Sequence, residues 1–249
     1  FFNPYPGHPP VSSKRMRQWT FNRWVLRRAP PDPKYPDGYG FKNHYDGTIP
    51  VPETDQIGAT YIGHGTTLLY IGGKVILTDP LFSKRSSPVS FAGPKRIFPP
   101  SIPLKDLKPR VDLVIITHNH YDHMDISALK ELGNDKLVIV PLNNGKYLKK
   151  AGLTHFVELD WGQEITLDNL AITCLPSRHF SIRGGNRDMN KSLWGTYMLR
   201  YGNRSIFFAG DTGYSEPLFK EIGRVFSPVD LALLPIGAYQ PWDIMSSIH

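Results

Sequence analysis

Residues 111–125 read "VDLVIITHNHYDHMD", and their reading decides the fold. Val111 to Ile116 is a mostly apolar run with a single charge, Asp112. Such a run fits a short strand buried on both faces of a sheet. It is followed by His118, His120, Asp122 and His123, four metal-capable side chains within six positions. A solvated loop has no use for three imidazoles so close together. Neutral imidazole and carboxylate suit a borderline cation such as Zn²⁺. The stretch therefore reads as a buried strand running into a metal-binding turn.

Further candidates lie at the same kind of position. His179 comes just past the strand-like "AITCLP", and Asp211 closes "SIFFAGD". Six donors are too many for one tetrahedral zinc and predict two ions, His118 and His120 facing one, Asp122 and His123 the other, with Asp211 able to bridge. Two such ions would share a hydroxide acidified toward a pKa of about 7 and poised for in-line attack on phosphorus or a carbonyl. Asp79 has no donor cluster beside it and is expected to orient an imidazole rather than bind metal. His64, in "YIGHGT", is read as a supporting or catalytic group, with core packing as the bland alternative. His8, His44 and His155 are read as structural.

Two segments resemble each other. "GTTLLYIGGKVILTD" (65–79) and "GTYMLRYGNRSIFFAGD" (195–211) each read as an apolar strand, a Gly turn and a strand ending in Asp. Each is followed by a further strand, in "PRVDLVIITH" and "SPVDLALLPIG". Asp125 is expected to cap a helix over "ISALKELG" with Gly133 as its stop, and Ser215 to cap "EPLFKEIGRVF". The pattern predicts two related β-rich halves, their sheets stacked face to face and helices outside. Residues 1–56 are rich in Pro and Gly and predict an arm with turns rather than a periodic domain, with regular structure from near Ala59 and one folded domain over 57–249.

Composition narrows the partners. The chain of 249 residues carries a net charge of +7, which favours anionic ligands. No apolar run approaches the roughly 20 residues needed to span a bilayer. Residues 14–28, "KRMRQWTFNRWVLRR", interleave six Lys or Arg with Trp19, Phe21 and Trp24 and hold no acid, a pattern suited to peripheral contact with a headgroup surface. The alternative is an arm whose aromatics pack on the body. The single cysteine, Cys174, excludes a disulfide framework and reads as a small buried apolar residue. The opening "FFNPYPGHPP" without Met reads as a fragment or a processed form.

"THNHYDH", the later "SRH" and "AGDTG" resemble the metallo-β-lactamase superfamily. "SPVSFAGPKR", "ELDWGQE", "NKSLWGTY" and "LPIGAY" are similar to its N-acylphosphatidylethanolamine-hydrolysing phospholipase D group, with the likeness running from about Tyr61 onward. The resemblance implies an α/β four-layer αβ/βα sandwich with two zinc ions. It implies His118, His120 and His179 on the first ion, Asp122 and His123 on the second, and Asp211 between them. It implies one more His ligand beyond the "IGAY" region; His249 is read as matching an earlier family position, so that ligand is expected past it. The implied activity is a phospholipase D-type phosphodiesterase on N-acylphosphatidylethanolamine or a related phospholipid, with a homodimer as the assembly; Lys95 and Arg96, in "AGPKR", are read as meeting the headgroup, with surface solvation as the alternative. A sugar-phosphate lactonase on the same site and a metal-stabilised binding protein without turnover are the alternatives. A nuclease is disfavoured because no added recognition domain is visible.

Overall fold

The computed structural model describes residues 1–5, 13–22, 45–50, 52–238, 242–246 and 248. The readings of His8, His44, Trp24 and His249 lie outside the described residues, as does the side chain of Trp19.

Helix α1 spans Ser13–Thr20, so regular structure begins well before Ala59, contrary to the expectation from sequence. The physical reason is local. The window from Val11 to Ala29 contains neither Pro nor Gly, although Pro-rich sequence flanks it on both sides. Strands β1 (Gly58–Gly63), β2 (Thr66–Ile71) and β3 (Lys74–Thr78) then form an antiparallel meander. Helix α2 (Leu104–Leu107) leads to β4 (Leu113–Ile115), which pairs parallel to β3. Helix α3 (Ile126–Leu132), β5 (Leu137–Pro141), α4 (Gly145–Lys150) and β6 (Phe156–Leu159) complete a six-stranded sheet in the order β1 to β6.

The second sheet runs β11-β10-β9-β8-β7. It holds β7 (Glu164–Leu167), β8 (Leu170–Leu175), β9 (Thr196–Tyr201), β10 (Arg204–Phe208) and β11 (Leu231–Leu233), with α5 (Glu216–Phe226) between the last two strands. The predicted duplication is present. β2-β3-β4 and β9-β10-β11 are each an antiparallel hairpin followed by a strand parallel to its second arm. In both, the strand connected through a helix has to be parallel, because the crossover returns the chain to the same end of the sheet.

Three apolar clusters define four layers. Ile76, Ile115 and Ile139 of the first sheet meet Ile172, Tyr197 and Phe208 of the second, a dry seam that also holds the fully buried Cys174. On the outer face of the first sheet, Leu68, Val114 and Val140 pack on Leu107, Leu129 and Leu148 of the helices. On the outer face of the second, Met198 and Phe207 pack on Leu218 and Ile222 of α5. Each such side chain contributes about 1.5–3 kcal/mol when fully buried, so the two-sided strands dominate stability. Tyr197 Oη donates to the Ile116 carbonyl at 3.1 Å and ties the sheets together beside the metal-capable turn.

The caps fare differently. Asp125 Oδ1 accepts from the backbone N–H groups of Ser127 and Ala128, and Gly133 closes α3 at φ 96°. Its Oδ2 also accepts from Phe82 and Ser83, stapling the next loop. Ser215 occupies the N-cap position of α5 but its side chain makes no cap bond. Pro217, second in the helix, lacks one of the N–H groups that a capping hydroxyl would take.

Candidate metal centre

Each donor-bearing loop leaves the C-terminal end of a strand: Asp79 after β3, His118–His123 after β4, His179 after β8 and Asp211 after β10. Stacking the two sheets brings these four ends together. Three imidazoles converge first. His118 Nε2 lies 2.9 Å from His120 Nδ1, and His120 Nδ1 lies 3.3 Å from His179 Nε2. Donor atoms at the corners of a tetrahedron around zinc, with Zn–N near 2.0–2.1 Å, are separated by about 3.3 Å. The spacing fits a shared cation.

A second group adjoins it. Asp211 Oδ2 sits 3.2 Å from His123 Nε2 and 3.8 Å from His179 Nε2, between the two groups. Asp122 Oδ2 lies 3.8 Å from His123 Nε2 and 2.9 Å from His64 Nε2. His64, Asp122 and His123 together can hold an ion, as can His118, His120 and His179. His64 is not a core residue, since its side chain is 47% exposed and its backbone sits in the left-handed region at φ 56°. Two glycines make these approaches feasible. A Cβ at Gly65 would stand 2.9 Å from the His123 ring, and one at Gly210 would stand 2.5 Å from Thr117.

Asp79 is fully buried and serves as the hub behind the cluster. Its Oδ2 accepts from His123 Nδ1 at 2.8 Å and from Thr117 Oγ1 at 2.6 Å, and its Oδ1 accepts from the Thr117 N–H. The Thr117 hydroxyl, which spends its donor on Asp79, therefore accepts from His118 Nδ1 at 2.9 Å. His179 Nδ1 likewise donates to the Ile248 carbonyl at 2.8 Å. The His118 and His179 rings are thereby held as the tautomer that leaves Nε2 with its lone pair facing the cluster, and the Asp79 bond turns His123 Nε2 toward it, the orientation a metal ligand needs.

Electrostatics divides the donors. Burial, reinforced by neighbouring imidazoles, drives the His118 pKa well below its usual value, so this ring is neutral. Burial would do the same to His123, but the carboxylates of Asp211, Asp79 and Asp122 outweigh it and raise its pKa well above the ordinary value. Burial would raise Asp122 and Asp211; His123 beside both holds their carboxyls below the usual range.

Several contributors escaped the sequence reading. The Asn3 side chain brackets the main chain of His179, donating to its carbonyl at 2.9 Å and accepting from its N–H at 3.2 Å. Arg183 Nη1 donates to the carbonyls of Asn119 and Met124, at both ends of the histidine turn, while its guanidinium stacks 4.3 Å over Tyr121. No local pattern marks either residue. Their partners are tens of positions or more away.

A cavity of about 800 Å³ opens onto the cluster, with His64, His120 and Asp122 in its wall. Tyr61, Leu81, Ile97, Phe98 and Ile182 make most of it apolar, and Lys95, Arg96 and Arg183 supply positive charge. Arg96 is half-buried and donates to the Leu81 carbonyl, whereas Lys95 is exposed. Among the described residues the Arg96 Nε has no hydrogen-bond partner.

The family described as "Beta-lactamase superfamily domain" matches residues 74–249. The chain belongs to the β-lactamase superfamily. Within it, the chain is 41% identical over 203 residues to the N-acyl-phosphatidylethanolamine-hydrolyzing phospholipase D 1 of Caenorhabditis elegans, covering 77% of this chain and 56% of that protein. An uncharacterized protein of Mycobacterium tuberculosis is 40% identical over 219 residues, 86% of this chain and 56% of its own length. The chain thus spans about half the length of the curated relatives it matches. Among solved structures, the diiron β-hydroxylase CmlA of Streptomyces venezuelae superposes with a TM-score of 0.53 at 27% identity, over 74% of this chain and 35% of that one. The superfamily's two-sheet sandwich is the fold described above.

Proposed function

We propose that this chain is the catalytic unit of a zinc-dependent phosphodiesterase of phospholipase D type, acting on N-acylphosphatidylethanolamine or a closely related phospholipid. The observation that carries the reading is the site's two-part character: a His/Asp donor cluster at one end of a cavity that is otherwise apolar and rimmed by cations. Such a cavity suits a substrate with a phosphodiester at one end and acyl chains at the other. A sugar phosphate would leave Ile97, Phe98 and Ile182 without a partner, so the lactonase reading is the weaker one.

In this reading His118, His120 and His179 hold the first ion, Asp122 and His123 the second, and Asp211 lies between them. When bound, the ions would polarise the phosphoryl oxygens and acidify a water toward a pKa of about 7. The chain's own residues do the rest. Asp79 and Thr117 fix the imidazoles, Asp211 and Asp122 supply negative charge that attracts the dications, and Arg96 with Lys95 offsets the charge of the headgroup. Water adds to phosphorus, the bond from phosphorus to the amide-bearing alcohol breaks, and phosphatidic acid and that alcohol leave. Zinc rather than iron is our reading, although the CmlA likeness makes iron the first competitor. Residues 57–249 are read as the catalytic domain, 1–56 as an arm and a homodimer as the assembly; Lys14, Arg17 and Phe21, exposed in and just after α1, agree with contact of the arm at a headgroup surface.

The test is hydrolysis of N-acylphosphatidylethanolamine in mixed vesicles by protein loaded with zinc and, separately, with iron. Release of phosphatidic acid by the zinc form is the expected result. No cleavage of any phospholipid by either form would overturn the reading.

A further inference from the structure

The exposed apolar side chains are not scattered. Of the fourteen large ones exposed among the described residues, Tyr61, Ile97 and Phe98 line the cavity, and Val89 and Phe91 lie on the same stretch of chain that brings Ile97 and Phe98 to it. Four of these belong to one segment, residues 83–99, "SKRSSPVSFAGPKRIFP". That segment is built rather than loose. Ser86 N–H donates to Pro94 C=O at 3.0 Å, Arg96 N–H to Lys84 C=O at 2.9 Å, and Arg85 Nη1 to Gly93 C=O at 2.6 Å. Arg85 and Lys95 pair as an antiparallel bridge. Gly93 closes the tip at φ 97°, where a Cβ would stand 2.6 Å from Ser87. The result is a fixed hairpin whose tip presents Phe91, 82% exposed, to solvent.

The charge around it is of one sign. From Leu81 to Lys105 the chain has no Asp or Glu, but carries Lys84, Arg85, Lys95, Arg96 and Lys105. Exposed aromatic and aliphatic side chains on a rigid protrusion, backed by cations, match an anionic bilayer surface: the apolar tip enters the headgroup boundary while lysines meet phosphates. A protein partner of opposite charge would meet the cations but would leave Phe91 needing a pocket of its own.

We propose that the 83–99 hairpin is the membrane-docking element of this protein, seating the cavity mouth on an anionic bilayer. Its purpose rests on the lipid-substrate reading above, but the docking is measured without turnover. The tip residues Val89 and Phe91 lie outside the cavity wall, so changing them spares the site.

The experiment is co-sedimentation of the full chain with vesicles of phosphatidylcholine alone and of phosphatidylcholine with phosphatidylserine. Wild-type protein binds the anionic vesicles. V89D/F91D lowers that binding on the order of tenfold, with the melting midpoint unchanged because both side chains are exposed. Lys84→Glu gives a smaller loss that disappears at high salt. Phe91→Trp fluorescence shifts to the blue on adding anionic vesicles. Equal binding by V89D/F91D, or sedimentation without a blue shift, overturns the proposal. A change in the light-scattering mass of V89D/F91D in place of a change in vesicle binding would do the same, making the tip a contact between copies. Tip-dependent binding without phospholipid cleavage would keep the docking and discard the substrate.

Discussion

The two donor groups lie side by side yet are built on different physics. His118, His120 and His179 would meet a cation with imidazole nitrogens alone, and burial beside the other rings holds His118 neutral. Asp122, His123 and Asp211 meet it with net negative charge, on the more open side where Asp122 is partly exposed. An uncharged imidazole such as His118 gains little from a dication's charge but has no proton to displace at ordinary pH. The acidic set attracts a dication strongly, and for the same reason it holds a proton on His123. In the proposed two-ion site the ions would therefore bind with unlike pH dependence.

The largest expected effect comes from the group the two sets share. Asp211→Asn removes negative charge from between them, so metal content falls from two ions to at most one and turnover drops to background. Metal analysis beside an activity assay checks this; two retained ions would mean that Asp211 bridges nothing. Next is the hub. Asp79→Asn keeps the shape and tolerates the φ of 37°, but can no longer orient His123 and Thr117 as a charged acceptor. We expect metal affinity to fall about 10–100-fold, more at the second set than at the first.

Acid separates the sets further. The raised pKa of His123 means that this ring binds a proton already above its unperturbed value. As pH falls through that raised pKa the second ion must displace a proton, and affinity drops by up to about tenfold per pH unit. The lowered pKa of His118 keeps that ring deprotonated over the same range, so the first ion is expected to persist to lower pH than the second. A zinc titration at several pH values reads both. Simultaneous loss of the two ions would refute the division. The smallest effect is assigned to the N-terminal strap: Asn3→Ala should loosen the first ion by less than about tenfold and leave the second unchanged, because Asn3 holds the main chain of His179.

The sequence made some of this legible and hid the rest for a physical reason. Strand β4 and its turn carry both the fold signal and four of the six donors within fifteen residues, so apolar run and His spacing were readable together. The hairpins 65–79 and 195–211 were legible because period and Gly turns are local signals. The Asp125 cap could be read, whereas the failure of Ser215 to cap turned on Pro217 two residues on. Helix α1 was obscured by its Pro-rich flanks. Asn3 on His179, Arg183 across the histidine turn and His64 against Asp122 arise from packing over long sequence separations, where no spacing rule reaches.

The most direct test of the whole account is anomalous scattering from crystals of the full chain grown with zinc. The account predicts two peaks roughly 3.5–4 Å apart, one among His118, His120 and His179, the other beside Asp122 and His123, with the Asp211 carboxylate between them. A single peak, or zinc bound away from these strand ends, would contradict it.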